Sequence, residues 1–273
     1  MTEYEIKPQK GISLNLKELW EYKELFYFFT WRDIKVKYKQ TILGFLWAVL
    51  QPFLMMIIFT LFFNKMLKVP SGSVPYAVFA YSGLILWNVF STGVSNAGNS
   101  MVANANIIKK IYFPRLIIPI SSILVSVFDY LMAFAVYIGL LVYYQVAVNV
   151  FQMIIFIPAS LILAMIAVFG SGSLLAALNV KYRDFKYVIP FMIQALMFLT
   201  PVAYPLSSIT NEWLRLLMAL NPMSGAVELS RMCFPGAEID IHFFLISCAS
   251  SVILFFAGLI YFRKTEAFFA DIA

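Results

Sequence analysis

The sequence is poor in the groups that carry out chemistry. Charged residues make up 12 % of its 273 positions, histidine occurs once (His242), and cysteine twice (Cys233 and Cys248). Soluble domains are roughly 25 % charged, so an ordinary soluble domain is excluded. The two cysteines show no metal or redox spacing and read as small hydrophobes. His242 stands at the start of the last apolar run and reads as an interfacial, snorkelling residue, so no metal site is expected. No G-x-x-x-x-G-K-[ST] phosphate loop occurs, which excludes ATP binding in that manner. Also missing are the clustered acids and bases that an integral membrane glycosyl- or acyltransferase would need.

What the chain has instead is hydrocarbon: 62 % of its residues are hydrophobic. A spanning helix needs about 20 mostly apolar residues. Six runs qualify: Thr41 to Asn64, Val74 to Asn96, Leu116 to Tyr144, Val150 to Leu178, Tyr187 to Tyr204 and Ile241 to Phe262. They are continuous and do not alternate like barrel strands, so the expected fold is an all-α integral membrane protein with six transmembrane helices. No repeat of solenoid length and no duplication of halves is evident. The expected organisation is a cytoplasmic segment over residues 1–40 followed by one six-span transmembrane domain over 41–273. About 40 charged, amphipathic residues precede the first run, so no cleavable signal peptide is expected and that run itself acts as the insertion signal.

Six spans put both termini on one side. Sixteen of the twenty Lys and Arg residues then fall on the side of the termini, and only Lys65, Lys68, Arg215 and Arg231 on the other. The positive-inside rule makes the terminal side cytoplasmic. The densest block is WRDIKVKYK, residues 31–39, where Arg32, Lys35, Lys37 and Lys39 abut the first apolar run. It orients the chain and can meet anionic headgroups of membrane lipids. Before and through it, Leu16, Trp20, Tyr27, Trp31, Ile34 and Tyr38 share one helical face, and Lys17, Glu21, Glu24, Arg32, Lys35 and Lys39 another. This pattern predicts an amphipathic helix on the cytoplasmic membrane surface.

Asp129 is the one ionisable side chain deep inside a predicted span. Intramembrane carboxylates face a bundle interior or a cavity. With no second buried ionisable group to relay a proton, a hydrogen bond to a neighbouring helix is the reading favoured here. The second connection holds NIIKKIYFP, residues Asn106, Ile107, Ile108, Lys109, Lys110, Ile111, Tyr112, Phe113 and Pro114, a short amphipathic helix ended by proline that suits docking into a partner's groove. On the outer side, the segment over residues 206–240 holds two apolar stretches of about ten residues separated by Asn221 and Pro222. Each would extend about 15 Å, too short to cross a core of about 30 Å, so both are expected as short re-entrant helices, with Asn221 capping the second. Trp213, Asn221, Pro222, Glu228 and Arg231 are its candidate gate residues. Phe45, Trp47, Tyr187, Phe191, Phe198 and Tyr204 are aromatics able to hold sugar rings by their faces, had they lined a pore.

The stretches RDIKVKYKQTILGFLWAVLQP, GNSMVANANIIKKIYFPR, NVKYRDFKYVIPFMIQALMFLTPVAYP and NPMSGAVELSR, with the tail FRKTEAFFADI, resemble the permease subunits of type-2 ABC exporters, specifically those for lipid-linked polysaccharide such as O-antigen, capsule or teichoic acid. The resemblance implies a homodimer of six-helix subunits bound to two copies of a cytoplasmic ATP-binding subunit, with ATP and Mg held by that partner and no cofactor in this chain. It implies that the N-terminal helix is an interface helix, that Asn106 to Pro114 is the coupling helix, and that Leu206 to Pro235 forms the gate helices. The first and fifth spans then wall the channel, and Arg32, Lys35, Lys37 and Lys39 border an intake portal for a pyrophosphate-linked headgroup. The expected site is the cytoplasmic (inner) membrane, the expected cargo O-antigen, and nucleic acid is no partner. The rival readings are a type-2 exporter of another substrate, such as teichoic acid, capsule, lipid or drug, and a membrane transferase.

Overall fold

In the computed structural model, residues 16–39 and 44–266 are described, and they are helices and connections with no strand among them. The side chains of Leu16 and Lys17, the start of the first run at Thr41 and most of the tail lie outside the described residues. Helix α1 (Leu16–Glu21) and helix α2 (Lys23–Lys39) lead to α3 (Leu46–Phe59), which continues as a π-helix over Thr60–Met66. Next come α4 (Tyr76–Ala103), the single turn α5 (Ala105–Ile108), α6 (Ile117–Tyr143), α7 (Val150–Lys181) and α8 (Phe185–Leu199). A 3₁₀ turn (Leu206–Ser208), α9 (Glu212–Ala219), α10 (Ser224–Ser230) and α11 (Ile241–Thr265) complete the described chain.

Among the described residues five helices are long and apolar enough to cross a membrane: Leu46–Met66, α4, α6, α7 and α11. The protein is therefore an integral membrane protein. The expected fifth span differs from the sequence reading. Its helix stops at Leu199, fifteen residues that rise about 22 Å, because Thr200 precedes Pro201 and takes the extended conformation that proline imposes on its predecessor. Tyr204 consequently lies in the turn beyond the helix.

Helix α4 also departs from expectation, running seven residues past Asn96 to Ala103. The stretch SNAGNSM looks like a loop in one dimension, but its polar groups are satisfied within the bundle. Asn99 Nδ2 donates to Ser95 O at 2.9 Å, Ser100 Oγ to Ala97 O at 2.7 Å, and Asn179 of α7 donates from Nδ2 to Gly98 O at 2.8 Å. Helix α4 is the centre of the fold: 83 % of its most apolar stretch is buried, against 17 % for α3. It packs on α6 and α7, and α11 packs on the far side of α7. That last crossing is close because it is made of glycine, since a Cβ on Gly258 would sit 2.1 Å from Gly170 O.

Candidate functional site

Three features expected to matter are linked along α2: Phe29 meets the coupling segment, and Lys37 in the last turn meets Asp129 near the middle of α6. Helix α2 carries aromatic residues on two opposite sides. Phe29 is 2 % exposed and packs on Phe113, with ring centroids 5.7 Å apart, while Leu19, Tyr22, Leu25 and Phe26 join the core formed by α6, α7 and α11. Trp20, Tyr27 and Trp31 are exposed, the last two stacked at 6.4 Å. Phe29 and Trp31 lie about 200° apart around the helix, so an outer stripe is exposed and an inner one faces protein. The face read from the sequence is exposed at Trp20, Tyr27 and Trp31 but not throughout, since Tyr38 turns onto Asp129 and Phe128, and the inner stripe was not read. The signal for the inner one was present, Tyr22, Phe26 and Phe29 recurring at helical spacing.

The basic block divides. Lys37 Nζ pairs with Asp129 Oδ2 at 2.5 Å, and Tyr38 Oη donates to Asp129 Oδ1. Asp129 is 2 % exposed, so the two donors satisfy a carboxylate otherwise closed off from water. Burial and the bond to Asp129 push the Tyr38 phenol well above its ordinary pKa, so it stays protonated and donating. The expected helix-to-helix hydrogen bond of Asp129 thus exists, and its partner is α2. Arg32 turns to the elbow between α4 and α5: Nη2 donates to Asn104 Oδ1 at 2.9 Å and to Asp33 Oδ1 at 2.7 Å, with the guanidinium 4.8 Å from the Phe29 ring centroid. Lys35 lies over Trp31 at 5.2 Å. Arg32, Lys35 and Lys39 border a 330 Å³ groove with Phe28, Trp31 and Val36, and Lys37 stands apart from it on Asp129.

The helical turn of the coupling segment stands at its start and does not reach Pro114. Only Ala105–Ile108 is helical, followed by a turn and an extended stretch into Pro114. Ile108 and Phe113 are buried and anchor it, while Lys109, Lys110, Ile111 and Tyr112 project, Ile111 being 52 % and Tyr112 69 % exposed. Asn106 is exposed, Ile107 partly so and Pro114 buried. Arg115 binds the end of α11 through Glu266, which also pairs with Arg263 at 2.8 Å.

The aromatic candidates lie elsewhere. Tyr187, Phe191 and Phe198 form one exposed stripe on α8, and Phe45 and Trp47 are exposed at the start of α3. Tyr204 leaves that set and donates to Phe198 O at 2.5 Å.

At the end of the bundle opposite the coupling segment, Asn211 caps α9, its side chain accepting from Trp213 N at 3.0 Å. Trp213 itself is 80 % exposed. Asn221 does not cap α10 directly, since that helix begins at Ser224. It accepts from Met223 N at 3.0 Å and donates to Thr200 Oγ1 at 2.7 Å, tying the turn around Pro222 to the end of α8. Arg231, read as an outer cation and a candidate gate residue, is buried and ties its own segment to two others. Nη1 donates to Pro201 O at 2.6 Å, and Nη2 to Val202 O at 2.8 Å and Phe79 O at 3.2 Å, with the guanidinium 3.6 Å from the Phe79 ring centroid. Gly83 makes room, because a Cβ there would meet Arg231 Nη2 at 2.9 Å. Burial lowers the pKa of Arg231 to about 10, still charged at neutral pH, and raises that of Glu228 one turn earlier to about 7. Among the described residues no three His, Cys, Asp or Glu side chains gather as a metal site.

The arrangement is mechanical: an anchored surface helix, a protruding tip and a stapled outer turn. Residues 24–234 match the family described as ABC-2 type transporter. The chain is 30 % identical over 241 residues to an O-antigen export system permease protein RfbA of Klebsiella pneumoniae, covering 88 % of this chain and 92 % of that one. It is 28 % identical to a protein of that name from Myxococcus xanthus, over 94 % of this chain and 98 % of the other. It is 26 % identical to the Polysialic acid transport protein KpsM of Escherichia coli, over 86 % and 91 %. The matched region runs from α2 to the turn after α10, and the chain belongs to the ABC-2 type transporter family, a membrane-embedded transporter component, not an enzyme, that works with an ATP-binding partner subunit.

Proposed function

We propose that the chain is the channel-forming subunit of an exporter that moves lipid-linked polysaccharide, O-antigen in the first instance, across the cytoplasmic membrane. The observation that carries this is similarity along nearly the whole chain to permeases named for O-antigen export. A capsule-type polymer is the second reading, favoured by the similarity to the polysialic acid transport protein.

Two copies join through the exposed faces of α3 and α8, where apolar surface is left uncovered by the single chain. The stripe of Tyr187, Phe191 and Phe198 with Phe45 and Trp47 lines the shared passage, where aromatic faces hold sugar rings without reading their linkage. The sixth crossing is completed by α8 and the turn through Tyr204, and α9 with α10 forms the outer gate. Both termini lie in the cytoplasm. Two ATP-binding subunits hold ATP and Mg and receive the Lys109–Tyr112 tip. Their closure displaces the tip, and Phe113 against Phe29 together with Arg32 on Asn104 carries the movement into α2. The groove bordered by Arg32, Lys35 and Lys39 accepts the anionic headgroup at the portal, while Lys37 positions α2 through Asp129.

Proteoliposomes holding this chain, its ATP-binding partner and a defined lipid-linked glycan test the reading. ATP-dependent appearance of the glycan on the far side is expected. ATP turnover with no glycan movement would overturn it, and movement of hydrophobic drugs instead would move the chain to another exporter class.

A further inference from the structure

The remote end of the bundle holds a cleft of 570 Å³, within the range of about 300–1,000 Å³ typical of ligand pockets. It is made by a single chain from three connections: Pro70–Val74 between α3 and α4, Pro205–Ser208 after α8, and Met232–Asp240 between α10 and α11. These are cross-tied. Ser73 Oγ donates to Pro235 O at 2.6 Å, Arg215 pairs with Asp240 at 3.0 Å, and the Arg231 staple lies at its floor. The cleft is therefore preformed.

Glu228 lines it, partly buried, and among the described residues no side chain or backbone group donates a hydrogen bond to its carboxylate; Arg231 and Arg215 act on it only through their charge. Its oxygens are open to the cleft and are left to accept from a ligand donor. The rest of the lining narrows the ligand. Hydroxyls of Ser71, Ser73, Ser207 and Ser208 and the carboxylate of Glu238 stand beside apolar walls of Val74 and Phe234. Acids outnumber bases, Arg231 and the Nη2 of Arg215 are held by protein acceptors, and the Nε of Arg215, which has no acceptor, is closed off from the cleft, which disfavours a phosphate. No three metal-ligating side chains converge among the described residues, which disfavours a cation.

We propose that this cleft is a saccharide subsite: a neutral, hydroxyl-rich sugar unit donates to Glu228 and lays its C–H face on the apolar wall. The assignment of its occupant to exported glycan rests on the function proposed above. The subsite stands beside the outer gate and holds a glycan segment outside the passage, opposing its slippage back.

The full chain with its ATP-binding partner in nanodiscs is titrated calorimetrically at pH 8, where Glu228 is ionised, with neutral disaccharides of mannose, rhamnose, galactose and N-acetylglucosamine, and with inorganic phosphate. Saturable binding of at least one disaccharide is expected, weakened about tenfold or more by Glu228→Gln, since one bond to a charged group accounts for that factor. Ser207→Trp, which crowds the mouth without touching the floor, weakens it as well and serves should Glu228→Gln fail to fold. Binding of phosphate alone, no binding of any disaccharide, or affinity unaltered by both variants would overturn the subsite. A photo-cross-linker at Ser207 separates the sources: capture of polymer only during ATP turnover identifies the passing chain, and capture without ATP identifies glycan already outside. Absence of binding beside intact export defeats the subsite alone, whereas binding beside absent export defeats the function proposed.

Discussion

Asp129 meets two donors from a single turn of α2, and their removal can be graded. Asparagine keeps an acceptor for Tyr38 but loses the charge that pairs with Lys37, whereas alanine strands both donors. Thermal unfolding in detergent is expected to report a loss of about 1 kcal/mol for Asp129→Asn and about 2–4 kcal/mol for Asp129→Ala. Export that survives the asparagine variant fits a structural role, and export lost with unchanged stability refutes it. Glu228 makes the opposite contribution. Its folded pKa of about 7 lies above the ordinary 4.5, so the folded state favours the protonated acid. That stabilisation is complete below about pH 4.5 and is lost as pH rises through about 7, a change on the order of 1–3 kcal/mol. Melting temperature is expected to fall between pH 5 and pH 8, and Glu228→Gln to flatten the slope. Asp129 was legible in the sequence because a charge inside an apolar run has few explanations. Arg231 was not, because a cation in an outer connection looks like any solvated one until the carbonyls around it are known.

Elements differ in how far spacing reveals them. The run behind α7 reads directly, while α4 outruns its expected end because Asn and Ser side chains bond to backbone of their own or a neighbouring helix. The α7 and α11 crossing depends on two glycines: Gly258→Ala drives a methyl into Gly170 O and is expected to cost about 1–3 kcal/mol, read as a lower melting temperature and a smaller monodisperse yield. The coupling tip is the reverse case. Lys110→Glu and Ile111→Asp alter exposed side chains only, so the isolated chain is expected to melt within about 0.5 kcal/mol of the parent. In complex with the ATP-binding subunit, the same pair is expected to abolish export; a complex that still exports shows the tip is not the docking point.

At the scale of the whole molecule, apolar surface remains on α3 and α8 while α4 is enclosed. A cysteine at Phe191, with Cys248→Ser to remove the half-exposed thiol, is expected to cross-link two copies of the chain in native membranes. Failure to cross-link there, with correct insertion, removes α8 from the dimer seam and sends its aromatic stripe to lipid. The exposed aromatics illustrate why a sequence leaves this open: a lipid face and a channel face are both apolar, and only the partner's position tells them apart.

Composition and the continuity of the apolar runs determined that the protein lives in a bilayer and that it is helical, because backbone groups in hydrocarbon must be satisfied within the chain and runs without alternation do not form barrel strands. Motifs along the chain determined the type-2 exporter resemblance that the similarity to export permeases bears out. Tertiary structure decided which cations are solvated and which are tied: Lys37 to Asp129, Arg32 to Asn104, and Arg231 to three backbone carbonyls. Those partners are separated by many tens of residues or more in most cases, so the pairing energy depends on distances that no local pattern encodes. The outer cleft, assembled from three connections that are unremarkable singly, is decided in the same way.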